Sequence, residues 1–438
     1  MNTSSLHRTI GLKSAVFIII GFIVGATIFV LPGSLAVEAG PAVFLAYLLA
    51  SIPAIFACFV MAQVGGAFPV SGASFMIVSK VLSPYWGFIY LCLLVPMAAI
   101  IVPLIAFGFA DYLQHFFPRT DVTITSITIT LLFMITNCFG IDFAAKIQGI
   151  LVVFFLLTLT IFGVGGVAQG DAELIKPFFP KGFSPVVLAA VTAYFSYSGV
   201  FVITEIAGEI KNPSRTIPRA IFISFAVILA IYTLVPLALV MTLPWASYAD
   251  TSMAVVTAAE VFLPDWIVDL IAISALFAAA TSINGLLMAL SRDWFKGAEV
   301  NIFPKYFAKI DERRGVPVRA VLLVGLLSMA GIFIGGTITD YAQAAVLGIM
   351  VMQILTGIAV LRLPKLLPEV YEQAHFKLGP RALIFYSLGF IIFSAAFFLF
   401  LGAFSLTEVV IGVIYLCLCS LYFKIRIKTV QLKIQRQR

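Results

Sequence analysis

The chain has 438 residues, of which 62% are hydrophobic and only 11% charged, and its mean hydropathy is +1.12. A soluble domain cannot keep a polar surface at that composition, so lipid is the solvent for most of the chain. The 27 Lys and Arg against 20 Asp and Glu give a net charge of +7, but they are spread by loop rather than gathered into a patch, which excludes a nucleic-acid surface.

Runs of about 20 apolar residues, the length that crosses a bilayer core, recur from end to end. They lie near 11–37, 41–65, 84–112, 122–141, 147–168, 184–209, 217–242, 264–290, 317–336, 340–362, 380–402 and 405–424 and predict an all-α integral membrane protein of about twelve spans. The first run is too long, and too interrupted by glycine, for a cleavable signal peptide. With a cytoplasmic N-terminus, Arg8, Lys13, Lys80, Lys146, Lys211, Arg215, Arg219, the basic residues from Arg292 to Arg319, Arg362, Lys365, Lys377, Arg381 and the tail all fall inside. Only Arg119, Lys176 and Lys181 fall outside, so both termini are expected in the cytoplasm and the span number even.

The first span reads Ile20-Gly21-Phe22-Ile23-Val24-Gly25-Ala26-Thr27-Ile28-Phe29, with small, flexible residues at its centre. The sixth reads Tyr194-Phe195-Ser196-Tyr197-Ser198-Gly199-Val200 at the corresponding place of the second half. Unwound backbone in hydrocarbon is tolerated only where it lines a cavity, since each unsatisfied amide or carbonyl costs several kcal/mol there. Glycine that merely lets helices approach is the alternative for either span alone. Taken together, breaks five spans apart point to a carrier of two inverted repeats, 11–168 and 184–362, within a single membrane domain. Residues 380–424 then supply two further spans and 425–438 a basic tail.

Glu205, six residues past Gly199 and four before Glu209, is the most deeply placed ionisable residue. It is either a coupling group or half of an ion pair, for instance with Lys13. Residues 243–263 lack Lys and Arg and predict a short outer helix. Residues 291–316 mix both charges with Phe303, Tyr306 and Phe307 and predict an inner-face amphipathic segment or a plain charged loop. Cys58, Cys92, Cys138, Cys417 and Cys419 all lie in apolar runs without metal-ligand spacing, which argues against a disulfide framework or a metal site.

At the two breaks the chain resembles the amino acid–polyamine–organocation (APC) superfamily. Gly25-Ala26-Thr27-Ile28-Phe29-Val30-Leu31-Pro32-Gly33 stands where that superfamily has a glycine-rich turn followed by Ile-Phe. In the same order follow Phe68-Pro69-Val70-Ser71-Gly72-Ala73-Ser74, then Glu209-Ile210-Lys211-Asn212-Pro213-Ser214-Arg215-Thr216-Ile217-Pro218-Arg219-Ala220, then Ser291-Arg292-Asp293, so the similarity covers about residues 10–365. The resemblance implies a LeuT-type fold of five-plus-five inverted repeats with two C-terminal helices, a bacterial inner-membrane location and an amino acid as the transported partner. Thr27 occupies a turn position that is usually Gly, and it either narrows the cavity or offers its hydroxyl.

An amino acid zwitterion at mid-membrane needs both charges met. The amides exposed after Gly25, at Ala26, Thr27 and Ile28, begin a half-helix whose positive end suits a carboxylate, while carbonyls at Phe195, Ser196 and Ser198 suit the ammonium. Phe195 stands where similar carriers place an aromatic gate, with Tyr197 and Gly199 beside it; ordinary packing is the alternative for both rings. No carboxylate lies within either break, which favours a neutral amino acid over a polyamine. Some proton-coupled relatives carry a Lys in the fifth span, where this chain has Leu151-Val152-Val153-Phe154-Phe155-Leu156. Sodium-coupled LeuT-type carriers combine first-span carbonyls, here Gly21 and Val24, with two hydroxyls of span eight, here Thr281 and Ser282. Proton coupling, sodium coupling and exchange therefore all stay open, and no other cofactor is expected.

A channel would need a filter-like repeat or rings of charge, which the sequence does not contain. An enzyme would need a catalytic cluster, yet His7, His115 and His375 lie far apart in loops or tails. No motif encodes an oligomeric state.

Overall fold

Apolar helices make up the computed structural model, which describes residues 8–25, 27–139, 141–311, 314–404 and 406–434, and the side chains of all these except 141–148, 404 and 426–434. Ala26, His7, Arg313 and the last four residues of the tail lie outside the described residues, as does the side chain of Lys146.

A helix occupies every predicted span. Leu12–Val24 and Thr27–Ala39 form the first; Val43–Ala67, Pro84–Phe116, Val122–Asn137, Ile141–Gln169, Ser184–Glu205 and Pro213–Thr242 the next six; Asp265–Glu299, Val318–Gly331, Ile338–Leu366, Pro380–Phe404 and Leu406–Ile434 the rest. Among the described residues nine helical runs are long and apolar enough to cross a membrane, and one of them, Leu12–Ala67, holds both the first and second spans. The fourth and ninth helices, of 16 and 14 residues, are only roughly 24 and 21 Å long. The ninth stops ahead of Gly335 and Gly336, whose φ of 82° and 113° turn the chain out of the helix.

Lipid tails are as apolar as leucine, so close packing rather than hydrophobic burial holds such helices together. On the second span Ala46, Ala50, Ala54 and Ala57 recur at helical spacing, all buried, and the sixth and seventh helices pack against this span. The seventh also packs on the first and fifth, and the eighth on the third and fifth. The twelfth touches chiefly the third and presents Ile411, Ile414, Leu418 and Leu421 outward. At the end that carries the N-terminus, the Thr9 and Ile10 amides donate to the Glu209 carbonyl, both at 3.0 Å, and the Lys211 amide donates to Ile10 at 2.8 Å.

The segment 291–316 departs from the expected surface strip. The eighth helix runs on to Glu299, and Ser291, Arg292 and Asp293 are buried. Pairing is the reason: Arg292 Nε reaches Glu209 Oε1 at 3.1 Å, so its charge is met inside the protein and not in water. Beyond the helix Trp294 stacks on Phe303, their ring centroids 4.2 Å apart. Residues 243–263 contain the expected short helix, Ala254–Ala259, after a turn of 3-10 helix at Trp245–Asp250.

Candidate substrate and coupling site

Glycine sets the break in the first span. Gly25 has φ +28° and ψ −152°, a conformation closed to side-chain-bearing residues, and a Cβ built there would stand 1.9 Å from Ser282 Oγ. A helix that stops leaves its last four carbonyls without amide partners. Hydroxyls meet all four here. Thr281 Oγ1 lies 3.0 Å from the Gly21 carbonyl, and Ser282 Oγ lies 3.1 Å from both Gly21 and Phe22. Tyr232 donates to Ile23 at 2.5 Å, and Thr27 Oγ1 sits 3.2 Å from Ile23, 3.4 Å from Val24 and 3.2 Å from the Tyr232 hydroxyl. Thr27 thus turns its hydroxyl back on the half-helix it follows. Thr281 and Ser282 do meet Gly21, as the sodium-carrier pattern asks, but Val24 is served by Thr27.

The sixth span tightens where an open gap was expected. Ser184–Tyr197 passes into a 3-10 turn at Ser198–Phe201, then into Val202–Glu205, so the chain narrows without leaving the helical path. Of the carbonyls expected to be free, Phe195 accepts from Ser198 Oγ at 2.7 Å, and Ser196 stands 3.3 Å from the Tyr232 hydroxyl, whose proton goes to the nearer Ile23 carbonyl. Gly199 serves approach: a Cβ there would meet the Phe22 ring at 2.5 Å and Ile23 at 2.8 Å.

Between the two breaks lies a cavity of about 20 Å³, room for one water. Thr27, Phe195, Ser196, Ser198 and Gly199 line it, with Phe22 and Ile23 of the first span, Ile101 and Ile105 of the third, Phe201, and Ile349 of the tenth. No charged side chain does. Gly25, Ile28 and Tyr197 stand behind this wall; the Tyr197 ring packs on Tyr232, 4.9 Å between centroids, and Tyr232 packs in turn on Tyr47 at 5.6 Å. Ile101, Ser198, Phe201 and Ile349 are shared with a second cavity, also about 20 Å³, which continues toward the N-terminal end past Tyr90, Gln353 and Thr356.

Glu205 is 1% exposed and Lys13 is exposed, so these two form no ion pair. Thr204 donates to Glu205 Oε1 at 3.2 Å, and the Gly72 amide donates to the Glu205 carbonyl at 3.0 Å. What the carboxyl group faces is the carboxyl of Asp293, also 1% exposed. Glu209, four residues on, belongs to Arg292 instead.

Tyr232, Asp293 and the isoleucines of the third and tenth spans are the site residues that sequence patterns missed. Asp293 was visible as part of a motif, but hydropathy placed that motif outside the membrane. Tyr232 carried a weaker signal: a phenol among aliphatics needs a partner when buried, though nothing local says which.

A broken first helix whose end is met by hydroxyls thus stands beside an uncharged cavity, and the amino acid permease family model matches residues 10–422. The chain belongs to the amino acid permease family. The match runs past residue 365, where the recognisable motifs stop, into both C-terminal spans. This permease is similar to the branched-chain amino acid permease BcaP of Bacillus subtilis, 25% identical over 387 residues covering 84% of this chain and 83% of that one. It is also similar to the methylthioribose transporter of Bacillus subtilis, 25% identical over 389 residues and 84% of each chain. Likeness to the large neutral amino acids transporter small subunit 2 of Mus musculus is 27% over 348 residues, 74% of this chain and 64% of that one. The permease is accordingly a multi-pass membrane transporter and not an enzyme.

Proposed function

We propose that this permease carries a neutral amino acid with an apolar side chain across a bacterial inner membrane by alternating access, with both termini in the cytoplasm. One observation carries the reading: the positive end of the half-helix Thr27–Ala39 adjoins a cavity walled by Ile101, Ile105, Ile349, Phe195 and Phe201 with no charged lining residue. The half-helix end suits a carboxylate, the aliphatic and aromatic wall suits an apolar side chain, and the absence of a carboxylate disfavours a cationic one. Among the similar proteins some are named for branched-chain or large neutral amino acids and others for cationic ones, so the cavity lining and not the names supports this reading. A cavity of about 20 Å³ cannot hold even the smallest such substrate, so the wall residues Phe22, Phe195 and Phe201 must move for it to bind. The inverted repeats 11–168 and 184–362 would supply the two bodies that rock about the site.

For coupling we favour a proton or a counter-substrate over sodium. The Ser282 proton is shared between the Gly21 and Phe22 carbonyls, 3.1 Å from each, and the Thr281 proton between Gly21 at 3.0 Å and Ala278 at 2.8 Å, so those first-span oxygens already have donors in place of a cation. Proteoliposomes given a panel of labelled amino acids test both parts. Saturable uptake of leucine, isoleucine or valine, accelerated by the same amino acid inside and unchanged when choline replaces sodium, is the expected result. Uptake of none of the panel overturns the substrate reading, and uptake that requires sodium overturns the coupling one.

A further inference from the structure

We infer that Glu205 and Asp293 share a single proton and form the proton-binding site of this permease, at the inner end of the transport route where the sixth and eighth spans meet. The coupling part of this inference rests on the transport function proposed above.

The two carboxyl groups come from different spans, are each 1% exposed and face each other beside Gly72, whose amide donates to the Glu205 carbonyl at 3.0 Å and where a Cβ would stand 3.5 Å from Asp293 Oδ1. The Glu205 carboxyl faces the Thr204 hydroxyl, 3.2 Å from Oε1, and the hydroxyl and amide of Ser74, whereas Glu205 Oε2 and both Asp293 carboxyl oxygens have no hydrogen-bond partner among the described residues. Two carboxylates have only lone pairs to offer each other, and two like charges in contact in a low-dielectric interior cannot both persist; a proton between them removes both problems at once. Among the described residues, the charged groups around the pair do not supply an alternative. On the eighth span Arg292 pairs with Glu209 of the sixth through Nε and with Ser291 through Nη1, while Lys296 pairs with Glu299 at 2.6 Å. Lys80, on the segment after the second span, faces Lys296, and Lys13 of the first span is exposed. From the third span only Tyr90 faces the pair, its hydroxyl lying also toward Ser74 and Thr356.

Tyr90 also lines the second cavity, which shares Ser198, Phe201, Ile101 and Ile349 with the cavity at the breaks. Two adjoining small cavities therefore run from the substrate side of the sixth span as far as Tyr90, which faces the pair. The same end is where Gly72 holds Glu205 through its amide and where a Cβ on Gly72 would stand 3.5 Å from Asp293 Oδ1, so three segments converge on the pair. With the proton present the carboxyls hold the sixth and eighth spans together. Its loss leaves two negative charges that push them apart, and this opens the route on the inner side.

Infrared spectroscopy of the purified full-length permease in lipid, titrated with acid and base, tests the pair without substrate. The expected spectrum contains the carbonyl band of one protonated carboxylic acid at neutral pH, and that band is lost in Glu205→Gln and again in Asp293→Asn, because an amide then donates to the remaining carboxylate. In proteoliposomes the wild-type exchange rate should follow a one-proton titration, about tenfold per pH unit on its steep side, and change less than about twofold per unit in either variant. A wild-type spectrum without the band, or a variant that keeps the wild-type pH profile, overturns the inference. If neither variant reaches the membrane, the wild-type titration alone decides. A missing band leaves the transport reading intact, whereas failure of every labelled amino acid to be taken up overturns that reading and leaves the pair.

Discussion

Ser282 Oγ lies where the side chain of any other residue at position 25 would begin, so the first-span break tolerates glycine alone. Gly25→Ala should lower stability by at least the roughly 1–3 kcal/mol of a forbidden backbone conformation, even before the clash is counted. A large drop in thermal unfolding temperature in detergent, partly restored by adding Ser282→Gly, is the expected outcome; a stable Gly25→Ala would remove the close approach from the account. This places Gly25 in the scaffold of the site and not in its lining, so a bulky residue there damages the fold as well as blocking the cavity. Tyr232 is the other residue on which the break depends, since its hydroxyl reaches the Ile23 carbonyl, Thr27 and the Ser196 carbonyl. Tyr232→Phe removes one donor from a buried carbonyl and should cost about 1–3 kcal/mol while preserving shape. Thermal unfolding should register the loss and KM for substrate should rise, because Ile23, Thr27 and Ser196 all line the cavity. Unchanged values of both would show that Thr27 alone satisfies the helix end.

Half-helices are held at this site by elements distant in sequence. The first span ends on hydroxyls from the seventh and eighth, and the eighth is tied to the sixth by Arg292 and Glu209, both nearly fully buried. Breaking a buried ion pair by removing one partner leaves an uncompensated charge, at a cost of roughly 3–5 kcal/mol. Arg292→Met should therefore be strongly destabilised. Adding Glu209→Leu should recover most of that loss, since well-packed apolar residues often replace a buried pair at no net cost. Thermal unfolding of the two single variants and the double one measures the coupling directly, and strict additivity would mean that the pair contributes nothing as a pair. The helix boundaries show what sequence could and could not supply at this scale. Span positions followed from hydropathy, but the nine residues that extend the eighth helix to Glu299 did not. Arg292 among them is compensated by Glu209, 83 positions away, and a sliding window sees only neighbours.

The molecule as a whole has an orientation that its loops alone predict. With Lys and Arg concentrated on one side, a cysteine placed at Lys309 on a Cys-less background should resist impermeant reagents added outside, and one at Asp250 should react; the reverse pattern would invert the topology. Sequence by itself determined that the chain crosses a membrane many times, that its first span breaks near Gly25, and to which superfamily it is similar, because these depend on composition, on the one residue without a Cβ and on contiguous motifs. The tertiary structure decided the rest. It showed that the sixth span narrows without opening, that Tyr232 and Thr27 meet the freed carbonyls, that Tyr197 stands behind the cavity, and that Glu205 faces Asp293 and not Lys13. The pairings of Tyr232 with Ile23, 209 positions apart, and of Glu205 with Asp293 join distant helices, whereas Thr27 meeting Val24 and the narrowing of the sixth span are local choices of backbone and rotamer. Inside lipid every buried polar group must find a partner, but only the packing of distant helices determines which one it finds.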